Sequence, residues 1–146
     1  MRFLEALRPL GLLVLRLSLG LIFITHGWQK LFTNPHFYAD QFAKLGFASP
    51  TSYAIGALEL FGGILLIAGF FARPIALLLA IEMGVAIAKV HLVKGYLAVD
   101  QYQFPLVVGA AALALATCGA GGISLDEILI PSKPGRARAP APKSAK

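Results

Sequence analysis

The sequence predicts an all-α integral membrane protein, a bundle of four transmembrane helices, and three observations carry that prediction. Of 146 residues, 58% belong to the hydrophobic set and 14% are charged, against about 45–50% and about 25% in a soluble domain. Mean hydropathy is +0.75. Four apolar runs, roughly Leu10 to Leu31, Tyr53 to Phe71, Pro74 to Val93 and Phe104 to Ile123, reach the ~20 residues that a helix needs to cross a bilayer.

The first run carries Arg16, continues to spanning length and lacks an A-x-A-like site before polar sequence, so it reads as a retained helix rather than a signal peptide. After Asn34-Pro35, the residues Phe37, Phe42 and Leu45 fall at near-helical spacing. They predict a short amphipathic helix between helices 1 and 2, lying in the interface or capping the bundle. Ser49-Pro50 reads as a cap and first-turn proline opening the second span. Arg73-Pro74 separates the second span from the third in a tight hairpin, and Pro105 is expected to open the fourth. Residues 1–130 form the membrane domain. Residues 131–146 form a basic Pro/Ala-rich tail expected to be disordered.

The formal charge is +6, but five of the 13 Lys and Arg residues lie in that tail. The remaining body is nearly neutral and offers no cationic face for phosphate, which excludes nucleic acid as a partner. Arg2, Arg8, Arg73 and the tail cations fall on one side, against Lys30, Lys44 and Lys94 on the other. By the positive-inside rule both the N and C termini are cytoplasmic. The single cysteine, Cys118, allows neither an internal disulfide nor a CxxC dithiol.

Small residues mark expected packing faces: Gly56, Gly62, Gly63 and Gly69 in the second span, Ala80, Gly84 and Ala88 in the third, and an alanine- and glycine-rich fourth. In the first span Arg16, Gly20, Phe23, Gly27 and Lys30 share one stripe at 100° per residue. A charge at membrane depth costs roughly 2.5–3.5 kcal/mol on insertion scales, so such residues usually face the interior and pair, or snorkel. Arg16 is expected to bridge to Glu82, and Lys89 to snorkel outward.

At the outer end, His26, Lys30, Glu59, His91, Tyr102 and Gln103 are placed in one layer by a rise of ~1.5 Å per residue. One reading is an open polar pocket in which Glu59 exchanges protons with a bound carbonyl or quinol oxygen. The other is a structural pair, Glu59 with Lys30 or with His26, that joins helices 1 and 2. No zinc motif is present among the three histidines, and no intrinsic cofactor motif occurs. His26 and His91 could ligate haem geometrically, but no haem signature accompanies them. The apolar inner half of helices 2 and 4 argues against a permeation pathway.

Taken in order, the run from Gly20 through His26-Gly27-Trp28-Gln29-Lys30, then Leu58-Glu59 with Gly62-Gly63, Arg73-Pro74, His91, and Gly119-Ala-Gly-Gly-Ile-Ser124-Leu125-Asp126 resembles the DoxX family over nearly the whole chain outside the tail. The resemblance implies a small bacterial inner-membrane protein of four helices, linked to membrane oxidoreductase complexes and oxidative-stress resistance. It adds Gln29 to the candidate ligand set. Gln103 stands where the family pattern leads one to expect an acid, and an amide can hydrogen-bond a carbonyl but cannot carry a proton.

Two functions follow as expectations. In the first, the chain is a quinone-interacting subunit, with Glu59 and His91 as catalytic residues near the head group. His26, Gln29, Lys30, Tyr102 and Gln103 would bind and orient it, and a membrane or peripheral oxidoreductase subunit would supply the electrons. The alternative is a non-catalytic scaffold or assembly factor whose buried charges specify helix packing, and whose small-residue faces bind membrane proteins, further copies of this chain included.

Overall fold

The computed structural model of the protein describes residues 2–91 and 99–129. Every regular element among them is helical: α1 (Arg2–Ala6), α2 (Arg8–Trp28), α3 (Pro35–Lys44), α4 (Thr51–Ala68), α5 (Ala72–Ala86), α6 (Val99–Cys118) and α7 (Leu125–Leu129). A single π turn, Gln29–Thr33, prolongs α2, and another, Ile87–His91, prolongs α5. The tail and Lys94 lie outside the described residues.

Among the described residues, two helices are long and apolar enough to cross a membrane: α2 with its π turn, and α4. α2 packs mainly on α4 and α5 mainly on α6, with thinner seams between α4 and α5 and between α2 and α6. The shared core contains Leu19, Phe23, Leu66, Ala76, Leu79, Val108, Ala112 and Leu115. The outward surface is apolar as well, with Val14, Leu21, Phe61, Ile81 and Val107 exposed. That pattern fits contact with hydrocarbon, since a soluble monomer rarely exposes so large an apolar surface.

The α2–α4 contact is made by backbone. A Cβ on Gly20 would lie 2.8 Å from the Gly63 carbonyl, and one on Gly63 would lie 2.7 Å from the Gly20 carbonyl. One turn pair further on, a Cβ on Gly27 would lie 2.6 Å from the Gly56 carbonyl. The stripe read from helix 1 is thus the buried one: Arg16, Leu19, Gly20, Phe23 and Gly27.

α4 ends in a Schellman turn, with Phe70 N donating to Leu65 O, Gly69 N to Leu66 O, and Gly69 at φ +70°. Phe71 follows in the left-handed region at φ +48°, and α5 begins at once, which makes the expected tight hairpin.

Two expectations are corrected. Gly84 and Ala88 face outward, and a Cβ on Gly84 would meet nothing within 4 Å. The buried row of α5 is Ala72, Ala76, Leu79 and Met83, and the small residue at the α5–α6 seam is Gly109, opposite Met83. Small-residue spacing alone did not say which face turns inward. Second, α6 starts at Val99, so Pro105 is internal, and the helix stops at Cys118 because Gly119 adopts φ +84°. The short helix expected after the first span is α3, with Phe37 exposed and Ala39 buried.

Candidate functional site

At the end of the molecule where α2 finishes, ionisable side chains converge from three helices. The π turn after α2 swings Lys30 toward α4, and Gly56 leaves room for its stem, since a Cβ there would sit 3.0 Å from Lys30 Cβ. Lys30 Nζ donates to Glu59 Oε2 at 2.5 Å, with the side chains 12% and 0% exposed. The ammonium also lies 5.7 Å from the ring centroid of Tyr38, a cation–π distance. From α5 the Glu82 carboxyl comes within hydrogen-bonding reach of the Glu59 carboxyl. Glu59 Oε1 and Glu82 Oε2 are buried and meet no donor among the described residues. His26, half-buried in the last turn of α2, stands within electrostatic reach of Glu59 and Lys30. Its ring packs 5.9 Å from that of Phe104 on α6.

The predicted layer is therefore assembled in part. His26, Lys30 and Glu59 come together, and the Lys30–Glu59 pair is the one ion pair seen among the described residues. The ammonium is thereby paired with the carboxylate, as in the structural reading of Glu59 with Lys30. Gln29 is exposed and accepts a bond from Tyr38 OH at 3.2 Å, outside the cluster. Tyr102 is half-buried and Gln103 exposed at the start of α6. The His91 side chain lies outside the described residues. Lys89 is exposed.

The expected Arg16–Glu82 bridge is not formed. Arg16 is 2% exposed, and its guanidinium donates to four backbone carbonyls: Leu66 at 3.0 Å, Ile67 at 2.9 Å, Ala120 at 2.8 Å and Ile123 at 2.6 Å. A planar fork of five donors suits such a set. Register explains the error. Arg16 is level with Ile67, near the hairpin, whereas Glu82 stands ten residues up α5 from Ala72, roughly 15 Å along the axis. The signal for Glu82 was in the sequence: Glu59 precedes Gly69 by ten residues and Glu82 follows Ala72 by ten, so a tight hairpin sets them side by side.

At the Arg16 end, Asp126 accepts from Phe71 N at 2.8 Å and Ala72 N at 3.0 Å, capping α5 from across the chain. Ser124 caps α7 by accepting from Glu127 N. A cavity of about 590 Å³ opens there, lined by Phe71, Arg73, Cys118, Gly119, Asp126 and Glu127 among others.

A chain whose described elements are all helices, with an apolar exterior and with Arg16 and Glu59 buried in its interior, has the construction of an integral membrane protein. The family model described as DoxX matches residues 11–92, and the chain belongs to the DoxX family. It is 31% identical over 85% of its length to "Putative oxidoreductase CatD" of Bacillus subtilis (strain 168), covering 90% of that protein. It is 34% identical to "Inner membrane protein YphA" of Escherichia coli (strain K12), over 83% of this chain and 91% of the relative. "Inner membrane protein YqjF" of the same organism is 30% identical, over 86% and 96%. No solved structure matches the chain. With these relatives and the apolar helices, the protein is placed in the bacterial inner membrane.

Proposed function

We propose that this chain is a quinone-interacting subunit of a membrane oxidoreductase complex, with four membrane-crossing helices and both termini in the cytoplasm. The carrying observation is the buried carboxyl pair Glu59–Glu82, two of whose oxygens meet no donor among the described residues, beside an imidazole that reaches the edge of the bundle. A quinone head group offers carbonyl or hydroxyl oxygens, and a carboxyl with an imidazole can exchange protons with either. In this reading the head group lies against His26 and Phe104, where His26 is half-buried. Gln103 and Tyr102 flank the mouth, and Gln29 and Lys30 border it. The name of the Bacillus relative supports redox company for this chain. Electrons come from a partner subunit.

The test is to purify the protein in mild detergent and assay an organic extract for quinone, with Glu59→Gln and His26→Ala beside the wild type. Near-stoichiometric quinone in the wild type, lost in both variants, is the expected result. Quinone-free wild type would overturn the reading in favour of a scaffold, in which these charges only fix helix pairing.

A further inference from the structure

We propose that Glu82 is a proton-holding residue of this protein: its carboxyl carries one exchangeable proton, donated in a hydrogen bond to Glu59, which Lys30 in turn neutralises. This deepens the site proposed above, but needs no quinone to be present.

The argument is one of charge and satisfaction. One ammonium and two carboxyls are electrically neutral only when one carboxyl holds a proton. A second ionised carboxylate here would face the first with the Lys30 ammonium already paired to Glu59, and two carboxylates in such contact do not both stay ionised. Lys30 Nζ is committed to Glu59 Oε2, so Glu59 is the member that stays charged. Glu82 makes no ion pair among the described residues, and its Oε2 meets no donor among them, so it is the member that carries the proton. A proton on Glu82 also gives Glu59 the donor its Oε1 lacks. Among the described residues, the other polar side chains at this end include His26 on α2, Gln29 in the π turn, Tyr38 on α3, and Tyr102 and Gln103 on α6; Lys89, beyond α5, is exposed. The exchange moves no electron: a proton adds to a carboxylate oxygen of Glu82 and leaves from the same atom. His26 is the group best placed to pass it to the edge of the bundle, since it alone of the cluster combines a titrating ring with partial exposure.

The test uses the full chain reconstituted in lipid, without added quinone, and infrared difference spectra between water and deuterium oxide at neutral pH. The expected result is one protonated-carboxyl C=O band that shifts on deuteration, disappears in Glu82→Gln and doubles in Lys30→Met, where both carboxyls must then be protonated. The Gln amide can donate to Glu59 as the protonated acid does, so that variant keeps its helix content, checked by circular dichroism. Absence of the band in the wild type, its persistence in Glu82→Gln, or a single unchanged band in Lys30→Met would each overturn the assignment. A band without co-purifying quinone would sink the quinone reading alone, and quinone without the band this one alone.

Discussion

Arg16 and Asp126 divide the polar backbone at one end of the molecule between them. The guanidinium takes carbonyls at the end of α4 and in the loop after α6, while the carboxylate takes the amides that open α5. A cation at helix C-termini and an anion at a helix N-terminus both complement the helix dipole. The carboxylate further holds Phe71 in its left-handed conformation, which a bulky residue adopts only when its surroundings impose it.

Asp126→Ala is accordingly expected to destabilise the protein by about 1–2 kcal/mol, the scale of a lost N-cap. Asp126→Asn, which retains one acceptor, should recover part of that. Denaturant unfolding in detergent micelles measures both. A loss of under about 0.5 kcal/mol for the alanine variant would mean that the α4–α5 turn holds itself.

The glycines of the α2–α4 seam make a sharper contrast. At Gly27 an added Cβ would lie 2.5 Å from Leu60 N and 2.6 Å from Gly56 O, both rigid backbone. Gly27→Ala should therefore push the helices apart and cost about 1–3 kcal/mol. Gly84→Ala, with open space around it, should be neutral or stabilise slightly through helix propensity. Thermal unfolding of the two variants side by side decides, and equal effects would contradict the interlocked seam.

How much of this was legible in the sequence depends on the kind of information needed. The all-helical class, the short helix after the first span and the buried stripe from Arg16 to Gly27 follow from hydropathy and the 3.6-residue period, which the structure obeys. The approach of Lys30 to Glu59 was one of the readings open there. Partner choice for Arg16 was not legible, because four carbonyls from two distant segments carry no side-chain signature. The outward turn of Gly84 was hidden for a similar reason: a stripe of small residues looks alike on an inner and an outer face. Glu82 is the instructive case. Its match to Glu59 needed only the hairpin centre, which Gly69 and Pro74 bracket in the sequence.

The three-residue cluster predicts non-additive mutations. Glu59→Gln leaves Glu82 next door for Lys30, and Glu82→Gln leaves the Lys30–Glu59 pair intact. Each single change should therefore be mild. The double variant strands an ammonium that is 12% exposed, and breaking a buried pair in that way costs about 3–5 kcal/mol. A coupling energy of at least about 1 kcal/mol is expected from the double-mutant cycle. Additive effects would show that Glu82 is no substitute partner for Lys30.

The single cysteine offers a test of orientation. Cys118 is exposed and lines the cavity at the Arg16 end, on the same side as the Asp126 cap. If both termini are cytoplasmic, that end faces the cytoplasm, because the bulk of the Lys and Arg near the span ends lies there and cytoplasmic flanks carry the excess. A membrane-impermeant maleimide should then label Cys118 in inverted inner-membrane vesicles and leave it untouched in intact spheroplasts. The opposite end is read with a Cys118→Ser, Ser49→Cys chain, since Ser49 is exposed in the turn before α4. It should label in spheroplasts. The reverse pattern at both positions would turn the molecule over, and the carboxyl cluster would then face the cytoplasmic half of the bilayer.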